Sequence, residues 1–123
     1  MKRYKVSITT AADGSATAYT PRLSGVLHAV HYVPDGTTPF DNTADFTITS
    51  EATGQSLVAR TNVSAAFVAN PRVPTADAAG TAALFAAGGT AVQDKIALGN
   101  DRVKIVIAQG GNAKVGVFHV LVA

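Results

Sequence analysis

The last third of the chain most constrains the fold, because it holds three apolar runs in close succession. They span Val92–Leu98, Arg102–Ala108 and Lys114–Ala123, and they are separated by Gly99-Asn100-Asp101 and Gly110-Gly111-Asn112, which are typical of turns. Val and Ile dominate the last two runs, and β-branched side chains suit a pleated surface. We therefore predict strands here, the last two joined as a hairpin.

The final run is apolar on both of its faces. Alternate positions place one set on each side, Val115, Val117 and Leu121 against Phe118, Val120 and Val122. A strand of this kind is covered on both faces, either inside its own domain or by another subunit. The pattern therefore predicts self-association, as a homodimer or a homotrimer.

Composition favours one small domain, residues 1–123, with partners on its surface. Hydrophobic residues make up 47% of the chain and charged residues only 15%, whereas about 25% of an average soluble protein is charged. So much uncharged surface suggests contact with other molecules. The chain has no cysteine, which excludes disulfides and thiolate sites and suits folding in a reducing cytoplasm.

The rest of the chain shows the alternation of half-buried strands. Arg3–Thr10 and Ala44–Ser50 alternate apolar and polar residues. Asp13-Gly14-Ser15 is a turn, which predicts a hairpin between Arg3–Thr10 and Ala16–Thr20. Gly25, inside a long apolar run, predicts a bulge or a sharp bend. We predict an all-β fold, an antiparallel β-sandwich resembling a jelly roll, with about eight strands.

One segment, Pro74–Thr90, is rich in Ala and Gly. We predict a loop or a short helix here, capped by Thr75 and ended by Gly88-Gly89. Leu84 and Phe85 are its only large side chains. They either plug the bottom of the sandwich or form an anchor that inserts into a neighbouring subunit.

No metal or cofactor site is predicted. His28 and His31 are three apart on a predicted strand, where period-2 alternation places them on opposite faces, so they cannot share a metal. His119 lies among Val and Leu and is expected to be a satisfied core or interface histidine. The three aspartates between positions 35 and 45 are typical of turns rather than of a calcium site.

The sequence does not predict an enzyme, a nucleic-acid binder or a membrane protein. It has no Gly-x-Ser-x-Gly elbow and no phosphate-binding loop, and Glu51 has no evident carboxylate partner. The net charge is only +2, without the stripe of basic and aromatic residues that nucleic-acid binders show. No apolar run is long enough to span a membrane.

Four segments carry a resemblance to a known family: SITTAADGSATAYTPRLSGVLHAVHYV, ADFTITSEATGQSL, AGTAALFAAGGTAVQDKIALGNDRVKIVIAQGG and KVGVFHVLVA. Together they resemble the capsid decoration, or cement, proteins encoded in the head gene clusters of tailed bacteriophages. The resemblance implies a structural virion protein that is made in the host cytoplasm. It would bind the major capsid protein on the outer capsid surface and bridge neighbouring capsomers. The family supplies no catalytic residues.

We interpret three groups of residues as candidate partner contacts. A basic N-terminal arm, Met1–Lys5, would reach an acidic patch of the shell unless it is simply a frayed terminus. Three arginines near strand ends and the two large side chains of the Ala/Gly segment complete the set. The candidates are Lys2, Arg3, Lys5, Arg22, Arg60, Arg72, Leu84 and Phe85.

Two other functions stay open. One is a tail or neck component, or a receptor- or glycan-binding sandwich, and a glycan site would need exposed aromatic residues. The other is a metal-dependent enzyme of the cupin type, which would need a histidine-rich ligand set on facing strands. Three separated histidines supply such a set poorly.

Overall fold

The computed structural model describes all 123 residues and contains ten strands and no helix. The strands are β1 (Lys2–Thr9), β2 (Ala16–Tyr19), β3 (Leu23–Pro34), β4 (Asp45–Ser50), β5 (Ser56–Arg60), β6 (Phe67–Ala69), β7 (Arg72–Pro74), β8 (Gln93–Asp101), β9 (Val103–Ala108) and β10 (Val115–Val122). The larger sheet has the order β1-β10-β3-β8-β7, with β6 also paired to β3, and the smaller has the order β2-β9-β4-β5. All pairings are antiparallel, which confirms the predicted all-β sandwich.

The core lies between the two sheets and is centred on aromatic rings. Tyr32 and Phe118 of the larger sheet meet Phe46 of the smaller one, with ring centroids 4.7 Å apart for Tyr32–Phe46 and 5.2 Å apart for Phe46–Phe118. Phe40 and Phe67 flank this cluster. Edge-to-face and tilted rings add to the stabilisation from apolar burial. Most aromatic side chains are therefore occupied in holding the sheets together.

β10 shows the alternation expected for a strand with one face on the core. Phe118, Val120 and Val122 are buried, whereas the intervening side chains, including Val117 and Leu121, are only half-buried. We predicted that both faces of this strand are covered. Within the chain, only the face towards the core is fully covered. The other face belongs to the outside of the larger sheet, which no further layer of this chain covers completely.

The two predicted hairpins are wrong. β9 lies in the smaller sheet and β10 in the larger, so the loop containing Gly110-Gly111-Asn112 crosses between the sheets; β1 and β2 are separated in the same way. The two crossing loops hold each other, since the Gly110 N–H donates to the Gly14 carbonyl over 2.9 Å. The predicted turn Gly99-Asn100-Asp101 is also wrong, because β8 continues through it and the chain changes sheets at Arg102.

Gly25 produces the predicted bulge in β3. The register against β8 shifts between Leu23 and Gly25, and the glycine has a φ of +134°. An added Cβ would lie 2.4 Å from the carbonyl oxygen of Ala123. Only glycine fits this backbone and this approach.

Residues 75–92 form a projection between β7 and β8, called here the 75–92 lobe. It contains two successive tight turns closed by the isolated bridges Ala76–Ala82 and Leu84–Ala91. The predicted short helix is therefore wrong. The Asp77 carboxylate accepts from backbone N–H groups inside the first turn, and this local bonding competes with helix formation. No residue of the lobe is buried.

Candidate functional site

The 75–92 lobe is held by its own backbone bonds although it has no core. At its base the Thr75 N–H donates to the Val92 carbonyl over 2.8 Å. Above the base, Ala83 donates to Thr75 and accepts from Val92, over 3.0 and 2.9 Å. Phe85 donates to Thr90 across the second turn, over 3.0 Å. Ala83, in the middle of the lobe, is therefore hydrogen-bonded to both ends of the lobe, Thr75 and Val92.

The two large side chains of the lobe lie at its surface. Phe85 is 76% exposed and Leu84 is 41% exposed, so the interpretation that they plug the sandwich is wrong. Phe85 is the most exposed large hydrophobic residue of the chain. A large aromatic side chain on an ordered surface element is the kind of group that anchors a protein interface.

A second candidate surface is the outer face of the larger sheet. Register places Lys5 beside His119, and His119 beside His31. Arg3, His31, His119 and Leu121 line a depression of about 200 Å³ on this face. We call Arg3, Lys5, His31 and His119 the outer-face cluster.

The outer-face cluster contains only basic side chains, and none of them forms an ion pair with a carboxylate. Burial lowers the pKa of His119 below its ordinary value, and the nearby charges of Arg3, Lys5 and His31 lower it further. The Nδ1 atom of His119 is buried without a hydrogen-bond partner. The prediction that His119 is a satisfied histidine is therefore wrong.

The basic N-terminus forms strand β1 instead of the predicted free arm. Residues Lys2–Thr9 pair along their whole length with β10. Alternation along β1 directs Arg3 and Lys5 to the outer face, while Lys2 lies on the other side of the strand with Tyr4. Only two of the three predicted N-terminal contact residues therefore share a surface.

The three arginines predicted as secondary contacts are each bound within the chain and on separate elements. Arg22, just before β3, donates to the Asn100 carbonyl over 3.1 Å. The Arg60 guanidinium lies 4.1 Å from the ring centroid of Phe67. Arg72 donates to the carbonyls of Pro71 and His28. Each has a structural role that sequence reasoning did not identify.

The bulged path of β3 changes the predicted placement of its histidines. The register against β10 shifts by one residue after Leu121, and Leu27 and Val30, three apart, are both fully buried. His28 is the unpaired residue of this bulge, so the period-2 argument does not apply to it, whereas His31 lies on the outer face beside His119. No three His, Asp or Glu side chains come together in a way that could hold a metal.

A buried carboxylate joins the two sheets where β8 ends. Asp101 is 4% exposed, accepts from the Ser50 hydroxyl, and accepts from the N–H groups of Ala52 and Arg102, the latter over 2.7 Å. These bonds, with that of Ser50 first, hold the pKa of Asp101 below its ordinary value. Beside it Glu51 forms an ion pair with Arg102. The carboxylates of Asp101 and Glu51 are therefore both bound within the chain.

Comparison with known proteins supplies no family. No protein-family model matches the chain, and no curated protein matches it. Among solved structures the chain is similar to "Crystal Structure of FLHE", with 11% sequence identity and a TM-score of 0.43 over 97% of this chain and 94% of that chain. A likeness this distant carries no argument about function. The structure has no helix that could cross a membrane.

Proposed function

We propose that the chain is a structural virion protein that decorates the outer surface of a tailed-phage capsid. In this role it binds the major capsid protein and strengthens contacts between capsomers. The observation that carries the proposal is the 75–92 lobe, an ordered projection whose only large side chains, Leu84 and Phe85, are exposed. The family resemblance of the sequence points to the same role.

The lobe is suited to docking because its contact residues are already positioned. Its backbone bonds fix the loop before binding, so less conformational entropy is lost when a partner covers it. A buried aromatic anchor at an interface contributes about 2 kcal/mol or more. Many such contacts on one shell act together through multivalency.

The sandwich beneath the lobe is suited to a scaffold. Its aromatic core couples both sheets, and β1 pairs with β10 along its whole length. In addition, the low content of charged residues, 15% of the chain, means that association with a shell requires little desolvation of charge.

The glycan-binding alternative has less support. Stacking on a sugar needs a platform of exposed aromatic rings, whereas Tyr32, Phe46 and Phe118 are buried. Tyr19 and Phe85 are exposed, but the Arg102 guanidinium lies over the Tyr19 ring at 4.1 Å from its centroid.

Co-sedimentation with phage heads tests the proposal. Tailed-phage heads are assembled from a major capsid protein in the absence of this chain, and are mixed with wild-type protein or with the double variant Leu84→Ser/Phe85→Ser. We expect the wild type to sediment with the heads and the variant to lose most of its binding. The matched control Ala86→Ser/Ala87→Ser alters the same turn without removing large apolar groups.

Two results would overturn the proposal. If wild-type protein stays in the supernatant at saturating concentration, the chain does not decorate these heads. If the Leu84→Ser/Phe85→Ser variant binds as well as the control, the lobe is not the contact. Circular dichroism of each variant checks that a loss of binding is not a loss of fold.

A further inference from the structure

We propose that the outer-face cluster is a binding site for a small oxyanion, and that it binds the anion more tightly as the pH falls. The site is separate from the 75–92 lobe, and the inference does not depend on the proposed capsid role. Its ligand class is a phosphate, sulfate or carboxylate group.

The pairing of three strands assembles the site. Lys5 on β1 is the cross-strand neighbour of His119 on β10, and His119 is the neighbour of His31 on β3. Arg3 lies one pleat along β1, opposite Leu121. The side chains directly opposite one another across an antiparallel pair lie about 5 Å apart. The four nitrogen-bearing side chains therefore share one side of the sheet.

None of the four side chains has a partner in the chain. The other arginines each have a carbonyl, a carboxylate or an aromatic ring as a partner, and Arg3 alone among the five makes no such contact. The only ion pair of the molecule is Glu51–Arg102. No carboxylate therefore neutralises the charge at this face, and an anion would relieve the repulsion among these groups.

The shape of the site matches a small anion. The depression of about 200 Å³ is large enough for an oxyanion and several waters, since a water occupies about 30 Å³. The guanidinium of Arg3 can donate two parallel hydrogen bonds to two oxygens of one anion. Leu121 forms an apolar wall, which lowers the local dielectric and strengthens these contacts.

His119 makes the site sensitive to pH. A neutral imidazole adds no charge, whereas protonation of His119 adds a positive charge to those of Arg3 and Lys5. The groups that face His119 from the neighbouring strands are Arg3 and Lys5 on β1 and His31 on β3. All are basic, so they oppose its protonation until an anion is present. By linkage, protons and the anion then favour each other's binding.

Titration with sulfate, followed by nuclear magnetic resonance, tests the inference. Sulfate keeps its two negative charges across the pH range used, so any pH dependence belongs to the protein. At constant ionic strength set with chloride, we expect saturable shifts centred on the outer-face cluster. The affinity should rise about tenfold between pH 7.5 and pH 5.5.

Matched variants separate a site from general charge attraction. Arg3→Gln should abolish saturable binding at both pH values, and Arg3 is exposed and unpartnered, so the fold is not at risk. Lys2→Gln removes the same charge one residue away on the opposite side of β1 and should bind like the wild type. His119→Gln should keep the weak binding of pH 7.5 and lose its pH dependence.

The proposal is wrong if the shifts do not saturate, if they spread over all basic residues, or if Lys2→Gln and Arg3→Gln behave alike. It is also wrong if the affinity is the same at both pH values. Competition by inorganic phosphate or by acetate identifies whether the preferred group is a phosphate or a carboxylate. This experiment needs no phage heads, so its failure would leave the proposed capsid role standing.

Discussion

At the scale of single residues, the same side chain has opposite roles in different parts of the chain. Phe118 is fully buried between the sheets, whereas Phe85 is 76% exposed on the lobe. The sequence indicates the first, because Phe118 lies in an alternating strand pattern. It does not indicate the second, because the segment around Phe85 has no hydrophobic periodicity. Burial of such a residue depends on distant parts of the chain.

Alanine substitution of these two phenylalanines should separate their roles. We expect Phe118→Ala to lower the free energy of unfolding by about 3–5 kcal/mol, because it leaves a cavity in the core. Phe85→Ala should change it by no more than about 0.5 kcal/mol. Urea unfolding followed by circular dichroism measures both. Equal losses would mean that Phe85 packs against the body of the protein.

Asp101 should make the stability of the fold sensitive to acid. Its pKa in the folded protein is below the ordinary value of 3.8, so its contribution is fully present above that value and is lost as the pH falls further. Asp101→Asn should therefore lower the urea midpoint at neutral pH and flatten its dependence between pH 5 and pH 2. Asp94→Asn on the surface is the control. An unchanged pH dependence in Asp101→Asn would contradict this role.

At the scale of elements, strands were predictable but their partners were not. The predicted alternation in β1 and β4 is confirmed, since Val6, Ile8, Phe46 and Ile48 are all buried. The hairpin predictions were wrong because two amphipathic strands joined by a short turn can face one core from the same sheet or from opposite sheets. The local sequence is compatible with both arrangements. Contacts such as Gly110 with Gly14 decide between them.

The lobe shows why an Ala-rich segment need not be helical. Ala favours helix, but Gly80 and Gly88 adopt positive φ values of +87° and +69°, and Asp77 binds the backbone of the first turn. Two turns therefore replace the predicted helix. Neither turn contributes a side chain to the core, so the lobe is an appendage of the β7–β8 hairpin.

Replacing residues 76–91 by Asn-Gly should leave the sandwich intact. Thr75 and Val92 already pair at the base of the lobe, and Asn-Gly is a favoured two-residue hairpin turn. We expect the free energy of unfolding to stay within about 1 kcal/mol of the wild type, since no buried residue is removed. Urea unfolding checks this. A large loss of stability would show that the lobe supports the fold.

At the scale of the whole molecule, the outer face of β10 is the feature of the fold that bears on self-association. The sequence predicts that this strand is covered on both faces, and within one chain only its inner face is fully covered. Its outer face carries half-buried apolar side chains beside Val33 and Val68, which are 46% and 53% exposed. The outer-face cluster was only partly predictable, since Arg3 and Lys5 were identified by charge. Bringing His31 to His119 required knowledge that β3 pairs with β10.

Self-association remains our prediction for the purified protein. A second copy would cover the apolar side chains around Val33 and Val117, towards the C-terminal end of β3, and leave the outer-face cluster open. This contact removes the apolar side chains from water. Sedimentation equilibrium should give a mass that is a multiple of 12.5 kDa, and Val33→Glu should lower the association constant. A 12.5 kDa species at every concentration would contradict the prediction.

Electron cryomicroscopy of phage heads saturated with the protein would test whether the sandwich is a scaffold which presents the 75–92 lobe to the capsid. We expect density for one copy of the sandwich at each occupied position, with Phe85 enclosed between the lobe and the capsid surface. Bound copies in which Leu84 and Phe85 point into solvent, and another surface meets the shell, would contradict it.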